Sequence, residues 1–289
     1  MKRLSVVIPV RNGSETIAMQ LRAVASQCGD GESGPVLEVI VVDDASTDGT
    51  IDVVDAFEGR LPRLQVIGKA QAEGAAAARN DGIVKSSGDA VVFLDADDEI
   101  GDGYLAALAR ALETHPFVAA RCEFDELNTT PVARARSPFQ TEALQASRFL
   151  PSGAGGTLGV RRDLVDDGIG FDPSLPAGED TDLCWRLQLD GVRLVLVADA
   201  VLHYRHRSTL PGIFRQMRGY GSVGPRLYRK YRAEGMPRRS LPEALRFWGA
   251  LLTHLPEVRT RQGLARYVAL VGYRLGILEG CIAARVVHL

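Results

Sequence analysis

The chain has 289 residues, 46% apolar and 24% charged, a balance that excludes disordered, collagen-like and disulfide-scaffold classes. Its formal net charge of −2 argues against a nucleic-acid partner. That total conceals two opposed parts: residues 204–289 hold 16 Lys and Arg against 4 acids, a net of +12, and residues 1–203 carry −14. The basic part is expected to meet a polyanion, a membrane surface or the acidic part itself.

Up to about residue 127 the chain alternates strand and helix patterns. SVVIPV, from Ser5, is a continuous apolar run, as in a strand buried on both faces. Ser14 is positioned to cap a helix through Ile17, Leu21 and Val24. VLEVIVV, residues 36–42, reads as a second strand and runs into Asp43-Asp44. Thr50 to Phe57 reads as a short helix and LQVIG as a third strand. GAAAARNDGIVKSS reads as an alanine-rich helix, AVVFLD as a fourth strand, and Tyr104 to Leu112 as a helix with leucines on one face. This alternation predicts an α/β fold, a mostly parallel Rossmann-like sheet with flanking helices. Ligands of such sheets sit beyond the carboxyl ends of the strands. Three strands deliver polar residues to that rim: Pro9-Val10-Arg11-Asn12-Gly13, Asp43-Asp44, and Asp95-Ala96-Asp97-Asp98.

Residues 128–150 read as a loop, and Gly153-Ala154-Gly155-Gly156 as a stretch open to close backbone approach. Glu179-Asp180 precedes a helix from Thr181 to Leu189. VRLVLV is a further strand, leading to His203. From Thr209 the pattern is helical and arginine-rich, with an interruption expected between Gly219 and Pro225. Residues 242–254 and 261–287 read as two helices with apolar faces. No uncharged apolar run reaches the ~18 residues of a membrane span; the best, Phe247 to Pro256, stops after ten. MKRLSVVIPV reads as a strand, not a signal peptide. Cys28, Cys122, Cys184 and Cys281 are too few and too scattered for a metal or disulfide framework, and read as core thiols of a reducing compartment. The expected location is cytoplasmic, with peripheral membrane contact or a homodimer as roles for the C-terminal helices.

Asp95 and Asp97 stand two apart at a strand end, so both carboxylates address one point. They hold a hard divalent ion, Mn²⁺ or Mg²⁺, or they form an acidic turn capping the next helix. Glu179 and Asp180 are helix-capping acids or reactive carboxylates. His203 is a hydrogen-bonded strand-end histidine or a metal ligand. Arg79 lies in the alanine-rich helix, where a solvated side chain is the ordinary outcome. Trp185, at helical spacing, reads as core.

These segments together resemble glycosyltransferase family 2, inverting enzymes of the GT-A fold. The resemblance runs in order from Ser5 to about His203. It is carried by SVVIPVRNGSETI, VIVVDDASTDGT, GAAAARNDGI, FLDADD, GFDPSLPAGEDTDLCWRLQLDG and VLHYRHR. Arg11 stands where many members carry tyrosine. The resemblance implies a nucleoside-diphosphate sugar donor, a uridine nucleotide favoured, and an acceptor hydroxyl. Pro9, Val10, Asp43, Asp44, Arg79 and Asp95 would bind the donor; Asp95, Asp97 and His203 would hold the metal. Asp180 would be the catalytic base, with Glu179 the competing assignment. It implies a catalytic domain over 1–205, with a nucleotide half to residue 100 and an acceptor half after it, followed by a basic helical region over 206–289. A nucleotide-sugar-binding protein without catalysis is the alternative. A dehalogenase-type phosphatase is disfavoured because its Asp-x-Asp lies on the first strand.

Overall fold

Alternate side chains of the first strand, β1 (Arg3–Val10), enter different cores. Leu4, Val6, Ile8 and Val10 join one, and Val7 joins the other. The second strand, β2 (Val36–Asp43), splits likewise, Val39 and Val41 from Ile40 and Val42. A strand covered on both faces has no solvent side, which is why these runs are continuously apolar. The computed structural model describes residues 3–28, 35–61, 63–166 and 168–288; the reading of Met1 and Lys2 lies outside the described residues.

The chain continues through α1 (Ile17–Ala25), α2 (Thr50–Asp55), β3 (Leu64–Gly68), α3 (Ala75–Lys85), β4 (Ala90–Phe93), β5 (Glu99–Ile100), α4 (Tyr104–Thr114) and β6 (Phe117–Glu123). It then forms β7 (Leu158–Arg161), α5 (Arg162–Asp166), α6 (Glu179–Leu189) and β8 (Leu194–His203). Three helices close it: α7 (Leu210–Tyr231), α8 (Leu241–Thr253) and α9 (Arg261–Ala284). The sheet order is β3-β2-β1-β4-β7-β6-β8-β5. β3, β2, β1 and β4 run parallel. β7 is antiparallel to β4 and β6, β8 is parallel to β6, and β5 is antiparallel to β8. The sheet is thus mixed, and its parallel half is the one built from strand–helix–strand crossovers. β7 reverses direction because the long segment after β6 carries no crossover helix.

Helices α1 and α4 cover one face, with Leu21 and Leu108 in its core. Helices α3, α6 and α7 cover the other, with Ala78, Leu183 and Leu227 in its core. The break expected at residue 205 falls between β8 and α7. Yet α7 shares a core with α6, and Tyr231 donates its hydroxyl to Asp182 Oδ1 at 2.7 Å.

The interruption expected at Gly219–Pro225 does not occur; α7 runs through it. Gly221 within it instead lets α9 come close. A Cβ at Gly221 would lie 2.0 Å from Tyr273 O, and one at Gly276 would lie 2.0 Å from Arg218 O. Phe214, Arg218 and Ser222 meet Gly272, Gly276 and Gly280 in ascending order, so the two helices run parallel. Helix α9 is also the one described helix long and apolar enough to cross a membrane by length and composition. Arg266, Arg274 and Glu279 divide it into short uncharged runs. Of its most apolar window, 39% is buried inside the fold.

Gly276→Ala is expected to lose about 1–3 kcal/mol through overpacking against backbone. Gly249→Ala in α8, where a Cβ meets nothing within 4 Å, is expected to gain up to ~1 kcal/mol of helix propensity. Urea unfolding of both variants separates close packing from propensity.

Candidate active site

The parallel register aligns the carboxyl ends of three strands: Val10 pairs with Asp43, and Val7 with Phe93. Beyond these ends lies a cavity of about 700 Å³. Of the predicted residues, Pro9, Val10, Asp44, Arg79, Asp95 and Asp97 line it. Asp44 is buried, and its two oxygens accept the backbone N–H groups of Glu73 at 2.7 Å and Gly74 at 2.9 Å. That bond pair fixes the loop leading into α3.

Asp43 is not among the residues that line the cavity. Its Oδ2 accepts from Ser46 N at 3.1 Å and so shapes the turn that presents Asp44.

Arg79 is not a solvated helix residue; it is 4% exposed. Its Nη2 lies 2.7 Å from Asp95 Oδ1 and its Nη1 lies 2.7 Å from Glu179 Oε1. The guanidinium also lies over the ring of Phe171, 5.2 Å from its centroid. Burial opposes the charge, but Asp95, Glu179 and Asp180 outweigh it and raise the pKa of Arg79. The glycine stretch serves this contact. A Cβ on Gly155 would meet Arg79 Nη2 at 2.8 Å, and one on Gly156 would meet Asp95 Cγ at 2.7 Å. Neighbouring Asn80 exchanges two hydrogen bonds with the backbone of Phe171, each 2.8 Å.

Glu179 and Asp180 open α6 behind Arg79 and join the cavity wall through it. Asp180 accepts from Gly155 N at 3.0 Å and Thr181 N at 2.6 Å. Burial, reinforced by the adjacent Glu179, nonetheless pushes Asp180 up to about 6. Desolvation therefore prevails over the helix N-terminus and Arg79, both of which favour the carboxylate.

Asp95, Asp97 and Asp98 form a crowded acidic corner. Burial raises Asp97, with Arg207 opposing and Asp95 adding to the shift. Burial also raises Asp98 well above the carboxylate range, with Asp97 and Asp95 adding to it. Hard oxygen donors under mutual repulsion suit a divalent cation. Among the described residues no group of three His, Cys, Asp or Glu is arranged to hold one. A cation at Asp95 and Asp97 would thus complete its shell with ligand or water oxygens. His203 is not brought to this corner. It pairs in register with Glu99 on one side and Glu123 on the other. Its Nδ1 lies 2.7 Å from Glu123 Oε2.

Two residues that the sequence reading passed over complete the wall: Arg205 and Arg207. Arg207 Nη1 lies 2.9 Å from Asp97 Oδ2, and Arg205 Nε donates to Asp97 O at 2.9 Å. Their alternation, Arg-x-Arg directly after a strand, was the available signal. Trp185 is core, as expected, and donates to Leu150 O at 2.7 Å.

A parallel half-sheet ending in this cavity, joined to a mixed second half, defines the GT-A class of folds. The sequence profile of Glycosyl transferase family 2 matches residues 5–168, and that of Glycosyl transferase family group 2 matches residues 90–278. The chain belongs to glycosyltransferase family 2. It is 30% identical to the pre-mycofactocin glycosyltransferase of Mycobacterium tuberculosis, over 98% of this chain and 57% of that protein. It is 30% identical to glycosyltransferase AglE of Haloferax volcanii, over 68% of this chain and 65% of that protein. The chain thus spans under two thirds of either relative. Among solved structures it resembles mannosyltransferase PcManGT from Pyrobaculum calidifontis, in complex with GDP-Man and Mn²⁺. That match has a TM-score of 0.63 and 21% identity, covering 96% of this chain and 87% of that one. TarS of Staphylococcus aureus, in complex with UDP-GlcNAc, matches with a TM-score of 0.55 and 19% identity, covering 99% and 93%. At these identities the structures bear on the fold alone.

Arg79→Met is expected to destabilise the chain by about 3 kcal/mol, because it strands two carboxylates without their cation. Calorimetric unfolding checks this; a loss under ~1 kcal/mol would contradict the buried pairing.

Proposed function

We propose that the chain is an inverting glycosyltransferase. It moves a sugar from a nucleoside diphosphate, preferentially uridine diphosphate, to an acceptor hydroxyl. The observation that carries this reading is Arg79, which ties the cavity carboxylate Asp95 to the Glu179-Asp180 pair through one buried guanidinium. Donor-side and acceptor-side acids are thereby held in a single arrangement.

In this reading Pro9, Val10 and Asp44 hold the nucleoside, with Asp44 accepting from the base. Arg205 and Arg207 face the diphosphate. Mn²⁺ or Mg²⁺ bound at Asp95 and Asp97 would supply Lewis-acid stabilisation to the leaving diphosphate; the complexes of PcManGT and GalNAc-T7 with Mn²⁺ support a divalent metal. Asp180 accepts the proton of the acceptor hydroxyl. The acceptor oxygen bonds to the anomeric carbon as the carbon–oxygen bond to diphosphate breaks, and the electron pair leaves with the diphosphate. Attack from the face opposite the leaving group inverts the centre. A carboxylate near pKa 6 is a stronger base than an ordinary aspartate yet is ionised at neutral pH. Glu179, paired with Arg79, positions that cation and is the weaker assignment for the base.

The acceptor is proposed to lie at a membrane surface on the cytoplasmic side. Exposed Leu245, Leu252 and Ile282 on α8 and α9, within the basic part of the chain, support this. Four free thiols accord with a reducing compartment. A second copy covering the same leucines would instead appear as a concentration-dependent mass in sedimentation.

A nucleotide-sugar panel with Mn²⁺ and Mg²⁺ tests the activity. Asp180→Asn is expected to lower transfer by about 10²–10⁴-fold while sparing donor binding. Asp97→Asn is expected to abolish the metal response. Transfer should rise with pH through about 6 and level above it, as Asp180 loses its proton. Donor binding without turnover on any sugar nucleotide would favour the binding protein; full transfer by Asp180→Asn would move the base elsewhere.

A further inference from the structure

Where segment 134–138 meets the basic C-terminal helices lies a second hollow, separate from the donor cavity and sharing no wall residue with it. It is a cavity of about 490 Å³ between segment 134–138 and helices α7 and α9. Arg134, Arg136, Arg266 and Arg274 line it, and no acid does. The hydrogen bonds that these arginines donate end on neutral oxygen. Arg134 Nε donates to Asn128 O at 2.8 Å, and Arg136 Nη1 to Gln216 Oε1 at 3.0 Å. Arg266 Nε donates to Ala135 O at 3.4 Å, and Arg274 Nη2 to Phe247 O at 2.8 Å. Among the described residues none of the four forms an ion pair.

Arg274 is the decisive member. It is 7% exposed, and its Nε is buried with no hydrogen-bond partner. Its guanidinium rests on the ring of Phe247, 3.6 Å from the centroid. That contact offsets only part of the cost of burying a charge and leaves a donor unmade. Four like charges around one void also repel one another. Chains rarely keep such an arrangement unless an anion completes it.

We propose that this cavity binds a phosphate group. A phosphate offers several oxygens to convergent guanidinium donors, which a single carboxylate does not. The volume exceeds that of the anion, and Met217 and Tyr273 supply apolar wall for whatever carries it. The carrier is a lipid headgroup or a soluble phosphorylated molecule. The site does not depend on the transfer reaction proposed above.

Inorganic phosphate titrated calorimetrically into the full chain, with no divalent metal present, tests the site. Because Arg205 and Arg207 also line the donor cavity, loss of binding in variants of this second hollow, which leave that cavity unchanged, assigns the signal. Wild type is expected to bind, more weakly as salt rises. The double variant Arg136→Gln, Arg266→Gln is expected to bind about tenfold more weakly or worse, with an unchanged circular dichroism spectrum, since neither side chain is buried. Arg274→Lys, which keeps a charge but removes the Nε donor, is expected to weaken binding several-fold. Vesicles of phosphatidylcholine with and without phosphatidylglycerol identify the carrier. Sedimentation with the anionic vesicles alone, lost in the double variant, assigns a lipid headgroup. Phosphate binding without vesicle sedimentation assigns a soluble ligand. Absence of phosphate binding by wild type, or equal binding by the double variant, overturns the proposal.

Discussion

One buried guanidinium joins the two halves of this chain. Arg79, on α3, reaches Asp95 just beyond β4 and Glu179 at the start of α6. An isolated charge at 4% exposure would be prohibitively costly. It is tolerated because both carboxylates lie at 2.7 Å and the Phe171 ring covers its face. The glycines at 155 and 156 complete the enclosure, because only backbone without a Cβ fits against Arg79 and Asp95. Asn80, the next residue, clamps the loop bearing Phe171.

The same crowding determines acidity. A carboxylate at a helix N-terminus, hydrogen-bonded twice by backbone N–H, would ordinarily have a low pKa. Asp180 moves the other way because it is buried beside a second acid. Arg79 cannot neutralise both neighbours, since its two terminal nitrogens are taken by Asp95 and Glu179. Of the two acids opening α6, one is thus a structural partner and the other is left poised near neutrality. The distinction arises from which carboxylate the guanidinium reaches, and spacing along the helix does not reveal it.

What the sequence made legible follows from the range of each interaction. Continuous apolar runs reported the parallel strands, because burial on both faces is a local property of a strand. Asp95, Asp97 and Asp44 were legible as strand-end acids for the same reason. Adjacent Asp43 was not separable from Asp44, since only the pleat decides which of them faces the cavity. His203 was legible as a strand-end histidine, but its partner, Glu123, lies 80 residues away. Arg79 looked like a solvated helix residue because both its partners are remote in sequence. The continuity of α7 was hidden as well: Gly219, Gly221, Gly224 and Pro225 weaken a helix in isolation. Packing against α9 reverses that reading, since Gly221 is where the other backbone must fit.

That packing also changes the meaning of the charge asymmetry. The basic segment is not an appendage to an acidic body. Arg205 and Arg207, its first cations, stand in the cavity beyond the strand ends, against Asp97. Lys230 on α7 lies 2.8 Å from Asp172 and 2.6 Å from Asp182. Positive charge is therefore offset where Lys230 meets those acids. Elsewhere along the junction, Arg134, Arg136, Arg266 and Arg274 line a cavity with no carboxylate among its lining residues. Opposite charges offset each other at one place on the junction, and positive charge is left in surplus at another. A net charge of −2 is what remains after that cancellation, and the two cavities lie where it is incomplete, one acidic and one basic.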